Sequence, residues 1–172
     1  AIAAMRLIVD RTTGTLDPWI AMAHLRLAQS LGQRGQWAEA NAAAQRAKEL
    51  FPEFRQDYEL DYLIGRAQMA DARFEDARSS FEKVIESEQG KSTETAAMAQ
   101  WMIGESYFHQ EQYETAARAY HKTELLYAYP QWQAASLLQA GKCYEHLSQE
   151  TMAISTYRQL VRDYAGHALA DQ

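Results

Sequence analysis

Four times in this chain a small residue is followed, twelve positions later, by an alanine: Ala28 and Ala40, Gly65 and Ala77, Gly104 and Ala116, Gly141 and Ala153. A fixed internal period means that one supersecondary unit is stacked repeatedly, because a unit this small cannot bury its apolar face alone. Twelve residues span the end of one helix, a tight turn and the start of the next, with a small side chain where the two cross. The first members of the pairs lie 37, 39 and 37 residues apart. The chain is therefore predicted to be an all-α solenoid of helical hairpins.

Registering the units on these residues predicts a first helix (A) over 18–34, 55–71, 94–110 and 131–147. A second helix (B) is predicted over 37–51, 74–88, 113–128 and 150–164. Local chemistry supports the breaks. Gly35 stands where a helix C-terminus favours glycine, and Asp17-Pro18 offers an N-cap acceptor followed by proline at the first helical position. Ser92 or Thr93 is expected to cap the third A helix, and Pro52 and Pro130 to stop the preceding B helices. With only three prolines in 172 residues, little else interrupts a helical reading. The hairpins occupy 17–52, 53–90, 91–130 and 131–165 of a single solenoid segment, 1–172. Residues 1–16 read as the B helix of a preceding repeat with its linker, and 166–172 as the start of a next helix. Both ends thus look like cuts through a longer array.

Large residues recur beside the small ones. Trp37, Phe74 and Tyr113 open B helices, with Glu150 as the exception, and Phe81, Tyr120 and Tyr157 follow one position, with Ala44 as the exception. The fullest unit reads Trp101-Met102-Ile103-Gly104-Glu105-Ser106-Tyr107-Phe108, then Tyr113-Glu114-Thr115-Ala116-Ala117-Arg118-Ala119-Tyr120. With Gly, Tyr, Tyr, Ala and Tyr at these offsets in several copies, the chain resembles the tetratricopeptide repeat family, which implies a right-handed α-solenoid. The usual period there is about 34 residues; here the excess lies between each B helix and the next A helix. Longer units ending in an aromatic and proline, as at Phe51-Pro52 and Tyr129-Pro130, are similar to repeats of the bacterial Tol–Pal accessory protein and outer-membrane assembly lipoproteins. That likeness implies a periplasmic or cell-envelope location.

The resemblance also implies a function. In such arrays the A helices line a concave groove that holds a partner segment. The groove positions fall on Met22, Leu25, Gln29 and Gln33, then Tyr62, Arg66 and Met69, then Met98, Trp101, Glu105, Phe108 and His109, and finally Leu138, Lys142, Glu145 and His146. Trp101, Glu105 and Phe108 share one helix face by their spacing. The expected binding set is Tyr62, Arg66, Met98, Trp101, Glu105, Phe108, His109 and Lys142. For Trp101 and Phe108, ordinary burial against a neighbouring A helix stands as the alternative.

Charge narrows the partners. A net charge of −6 with interleaved signs argues against nucleic acid and shows no polybasic membrane patch. No apolar run approaches the roughly 18 residues of a spanning helix. One cysteine, Cys143, lies three residues before His146, but no second ligand pair completes a metal site. Ser30, Ala67 and Ser106 hold the equivalent position, so Cys143 reads as a small structural residue. His109 and His146 share a repeat position and read as solvated groups near helix C-termini. No nucleophile arrangement, phosphate-cradling loop or cofactor motif appears. The polar run Glu86–Thr95 reads as a surface insertion. The expectation is a non-catalytic scaffold for a protein or peptide partner, without cofactor or metal. A recruitment segment of a larger enzyme, and self-association through the repeat ends, are the alternatives.

Overall fold

Alanine-rich, proline-poor stretches separated by short polar turns have few ways to satisfy their backbone other than as helices. The computed structural model describes residues 2–11, 18–166 and 168. Among them are nine α-helices: α1 (Ile2–Arg11), α2 (Pro18–Gly32), α3 (Trp37–Leu50), α4 (Asp57–Ala70), α5 (Phe74–Glu86), α6 (Glu94–His109), α7 (Tyr113–Leu126), α8 (Pro130–His146) and α9 (Glu150–Asp163). Each end of α2 to α9 falls within two residues of its predicted position. The expected cap Asp17 lies outside the described residues, as does the expected helix start over 166–172 apart from residues 166 and 168.

The turn inside each hairpin has one backbone form. Gly35, Ala72, Glu111 and Ser148 have φ of 72°, 56°, 60° and 56°. Each stands seven residues after the small crossing residue, so all four are the left-handed residue that ends an A helix. The next amide closes the turn by donating back five residues. Gln36 donates to the Leu31 carbonyl at 3.0 Å, and Arg73, Gln112 and Gln149 donate to Gln68, Tyr107 and Tyr144 at 2.9 Å each. Only Gly35 advertises this conformation by residue type.

The small crossing residues accommodate more than a neighbouring backbone. A Cβ added at Gly65, Gly104 or Gly141 would come within 2.6, 2.5 and 2.2 Å of the rings of Phe81, Tyr120 and Tyr157. Each glycine thus receives the aromatic residue sixteen positions later. The first hairpin solves the same contact differently: Ala28 carries a Cβ, and its counterpart is Ala44, both fully buried in one cluster. The exception at Ala44 is therefore a volume exchange. The alanines twelve residues on, Ala40, Ala77, Ala116 and Ala153, are buried as well.

The chain divides into two compact units, Ala1–Lys91 and Ser92–Gln172. In the first, α2 pairs with α3 and α4 with α5, α3 packs on α4, and α1 packs on α2. Its core runs through Leu25, Ala28, Leu60, Leu63 and Ile64, with Leu27, Leu31 and Ala40 meeting α1. The polar run after α5 is not a free loop at its start. Gly90 is buried, and a Cβ there would meet the Val84 carbonyl at 2.7 Å and Tyr58 Cβ at 2.9 Å.

In the second unit α6 pairs with α7 and α8 with α9, and α7 packs on α8. Ala116, Ala117, Tyr120, Ala140 and Cys143 form one cluster, and Ala134, Leu137 and Leu160 another. Thr93 caps α6, its hydroxyl accepting from the Ala96 amide at 3.4 Å. Pro130 does not stop α7, which ends at Leu126; it opens α8, where a missing N–H costs nothing.

Candidate partner-binding site

Within each unit the A helices lie side by side, α2 with α4 and α6 with α8. Polar side chains tie them across the seam. Gln29 on α2 donates to Glu59 on α4 at 2.9 Å. Glu94 on α6 accepts from Gln131 and from the Trp132 indole of α8, at 2.8 and 2.9 Å.

In the first unit Tyr62 and Arg66 form a pair on α4. The guanidinium donates to the Tyr62 hydroxyl at 3.1 Å and lies 4.9 Å from the centre of the Trp37 ring. Tyr62 itself is only 8% exposed, its ring 5.8 Å from Phe81. Burial raises its pKa, with Arg66 opposing. Arg66, half-buried, is the surface member of the pair. Leu25 does not belong to a groove: at 1% exposure it is core, because its side of α2 faces α3 and α4. Met22 instead borders an apolar cleft of about 680 Å³ with Trp19, Leu50, Phe51, Pro52 and Phe54. The only sequence sign of that cleft was the aromatic–proline ending Phe51-Pro52.

In the second unit Met98, Trp101, Glu105 and Phe108 lie along α6, all half-buried. Trp101 sits between α7 and α8, 6.2 Å from Tyr120 and 5.7 Å from Trp132. Burial against a neighbouring A helix therefore describes much of its ring, and its indole nitrogen is buried. Glu105 accepts from the Tyr120 hydroxyl at 2.5 Å. Burial and then the Glu105 charge push that phenol far above its ordinary range. Phe108 stands edge-on to Tyr113 and to His146, at 5.3 and 5.5 Å. His146 stacks flat on Tyr113, 4.2 Å between centres and 4° between planes. His146 is exposed, as expected of a group near a helix C-terminus, and it also stacks on α7. His109 is exposed and Lys142 half-buried on α8.

Each unit offers apolar and aromatic contact area of its own, with Arg66 in the first and Glu105 and Lys142 in the second. Cys143 is fully buried, and burial with the nearby Glu105 charge pushes its thiol up to about 12. Among the described residues no group of three or more His, Cys, Asp or Glu is disposed to hold a metal. No described helix is long and apolar enough to cross a membrane.

Family models for the tetratricopeptide repeat match residues 62–131, and 22–53 and 135–167. The chain is built of tetratricopeptide repeats. Among solved structures it is similar to the apo form of RapI, with a TM-score of 0.80 and 17% identity over 99% of this chain and 63% of RapI. It is also similar to BtubC from P. vanneervenii, with a TM-score of 0.79 and 13% identity over 95% of this chain and 72% of that one. A third is the set of nearly identical TPR-like repeats from Podosopora anserina, with a TM-score of 0.72 and 16% identity over 92% and 82%. The chain thus spans less than two thirds of RapI. At these identities the likeness establishes the fold, an all-α helical-repeat solenoid. No curated protein matches the chain by sequence.

Proposed function

We propose that this chain is a non-catalytic scaffold that holds a segment of a protein partner against its A helices. The observation that carries the reading is the row Met98, Trp101, Glu105 and Phe108 on α6. These side chains stay partly exposed, with the rings of Trp101 and Phe108 packed on one side against the cluster of Ala116, Ala117, Tyr120, Ala140 and Cys143. Partly exposed aromatic and methionine side chains flanked by charge are the usual composition of a partner-binding surface. In the second unit Lys142 on α8 and His109 on α6 join the proposed contact set; in the first unit Arg66 with Tyr62 on α4 forms a set of its own.

The test uses substitutions that spare the packed rings. Met98→Lys with Lys142→Glu changes the α6–α8 face, while Glu82→Lys with Lys83→Glu changes exposed positions of α5 on the opposite kind of helix. With helical signal unchanged in all proteins, affinity for the partner is expected to fall about tenfold or more for the first pair only. Equal loss from both pairs, or loss from the α5 pair alone, removes binding from the A helices.

A cell-envelope setting is a further part of the proposal. Its support is the long repeat spacing of 37, 39 and 37 residues and the aromatic–proline endings of two units. Fractionation of native cells tests it; recovery of the protein with the cytosolic fraction would end it.

A further inference from the structure

We infer that the indole N–H of Trp101 determines specificity: it donates to a neutral carbonyl oxygen of the partner segment, and Trp132 swings aside to admit that oxygen. The inference rests on the α6–α8 reading above and names what that face recognises. Leu25, Tyr62, Trp101 and Leu138 each stand three residues before a small crossing residue, so they share one repeat position. The fold needs no hydrogen bond there. Leu25 is core at 1% exposure, and Leu138 packs against Ala134, Leu137 and Leu160. Tyr62 does bring a polar group, but Arg66 donates to its hydroxyl at 3.1 Å. Trp101 alone of the four brings a buried donor that finds no acceptor within the chain. Buried indole N–H groups are ordinarily bonded, because an orphaned donor costs more than a made bond contributes. Leucine fills the same place without that cost, so the nitrogen serves something outside the fold.

The surroundings select the acceptor. Glu94 lies seven residues before Trp101 and Glu105 four after, which puts both carboxylates on its face of α6. Against them Lys142 on α8 supplies one positive charge. An anionic acceptor therefore meets net repulsion, and a neutral carbonyl does not. The way in is past Trp132. Of the two rings beside Trp101, Tyr120 at 6.2 Å is fully buried and Trp132 at 5.7 Å is half-buried, so Trp132 forms the outer cover. Trp132 sits in the first turn of α8, where its indole donates to the exposed Glu94 at 2.9 Å. Rotation of that one side chain uncovers Trp101 and leaves Tyr120 in place.

The probe is a neutral capped peptide, acetyl-Leu-Ala-Leu-amide, titrated into the chain carrying ¹⁵N-tryptophan. The four indole N–H signals are assigned by Trp→Phe substitutions. The expected result is saturable movement of the Trp101 and Trp132 signals together, with those of Trp19 and Trp37 unmoved. Trp101→benzothienylalanine keeps the ring shape and removes the donor. That chain should melt at or above the temperature of the parent, and should bind the probe about tenfold more weakly. The same peptide ending in a free carboxylate should bind the parent chain about tenfold more weakly as well. A lower melting temperature for Trp101→benzothienylalanine means that the N–H is already bonded within the fold, and overturns the inference. So does equal binding by that chain, equal or tighter binding of the carboxylate peptide, or an unmoved Trp101 signal. Met98→Lys with Lys142→Glu distinguishes this inference from the reading it rests on. If the probe still binds that chain, both fall. If it binds there no longer, while the benzothienylalanine chain binds as well as the parent, only the Trp101 donor falls.

Discussion

At the scale of single residues, volume is traded between fixed partners. Gly104 has no Cβ because the Tyr120 ring occupies that space, 2.5 Å from where one would stand. Gly104→Ala should cost about 1–3 kcal/mol by overpacking. In a Tyr120→Ala background the same change should be neutral or slightly stabilising, since alanine favours helix over glycine by about 1 kcal/mol. Equal penalties in both backgrounds, read from denaturant melts, would separate the two positions. Cys143→Ser should cost little, about 1 kcal/mol or less by the same melts. The equivalent Ser106, equally buried, returns its hydroxyl to the Ile103 carbonyl at 2.7 Å, and the hydroxyl introduced in place of the Cys143 thiol can likewise bond to the preceding turn. His24 supplies a pH dependence. It is 3% exposed, its Nδ1 is buried without a partner, and burial followed by Arg46 lowers its pKa below 6.5. A depressed histidine pKa means that the unfolded chain binds the proton first. Stability is therefore full above about 6.5 and declines as pH falls toward the folded value. His24→Leu should flatten the fall in stability between about pH 7 and 5.

At the scale of elements, the turns between A and B helices carry their conformation in the backbone. Three of the four use a residue with a Cβ at positive φ, which strains an L-amino acid by about 1–2 kcal/mol. Ala72→Gly should recover part of that, offset by glycine's greater freedom when unfolded, for a net gain of up to about 1 kcal/mol. A lower melting temperature for this variant would mean that the Ala72 methyl makes contacts worth more than the strain. These turns also show where sequence reading succeeds and fails. Helix spans were legible because the twelve-residue pairs measure the distance across each turn. Left-handed residues were legible only at Gly35, since Ala72, Glu111 and Ser148 are unremarkable by type. The seam contacts, such as His146 on Tyr113 and Trp132 on Glu94, join residues more than thirty positions apart, and no local pattern reports them. The exposure of the α6 row was undecided for the same reason. How much of Trp101 is covered depends on Tyr120 and Trp132, which belong to other helices.

At the scale of the whole molecule, the division at Lys91 and Ser92 falls within the polar run that makes the longest repeat. The first unit has its own clusters of buried side chains and ends on Gly90, pressed against Val84 and Tyr58. A fragment ending at Lys91 should keep its helical signal and melt cooperatively. Gly90→Ala should weaken that fragment by about 1–3 kcal/mol, because the obstructing atom is a backbone carbonyl. A non-cooperative melt of the parent fragment would show that its core is insufficient alone. The glycine–aromatic exchange has a further consequence, for how such an array can be shuffled. α4, α6 and α8 each present a glycine, and α5, α7 and α9 each present a ring, so at this contact those helices are interchangeable parts. α2 presents Ala28 and tolerates only the methyl of Ala44. Recombination among the last three hairpins can break anywhere without upsetting this joint. A crossover inside the first hairpin would drive an aromatic ring into Ala28 or leave a hole beside Ala44, so α2 and α3 must be inherited together.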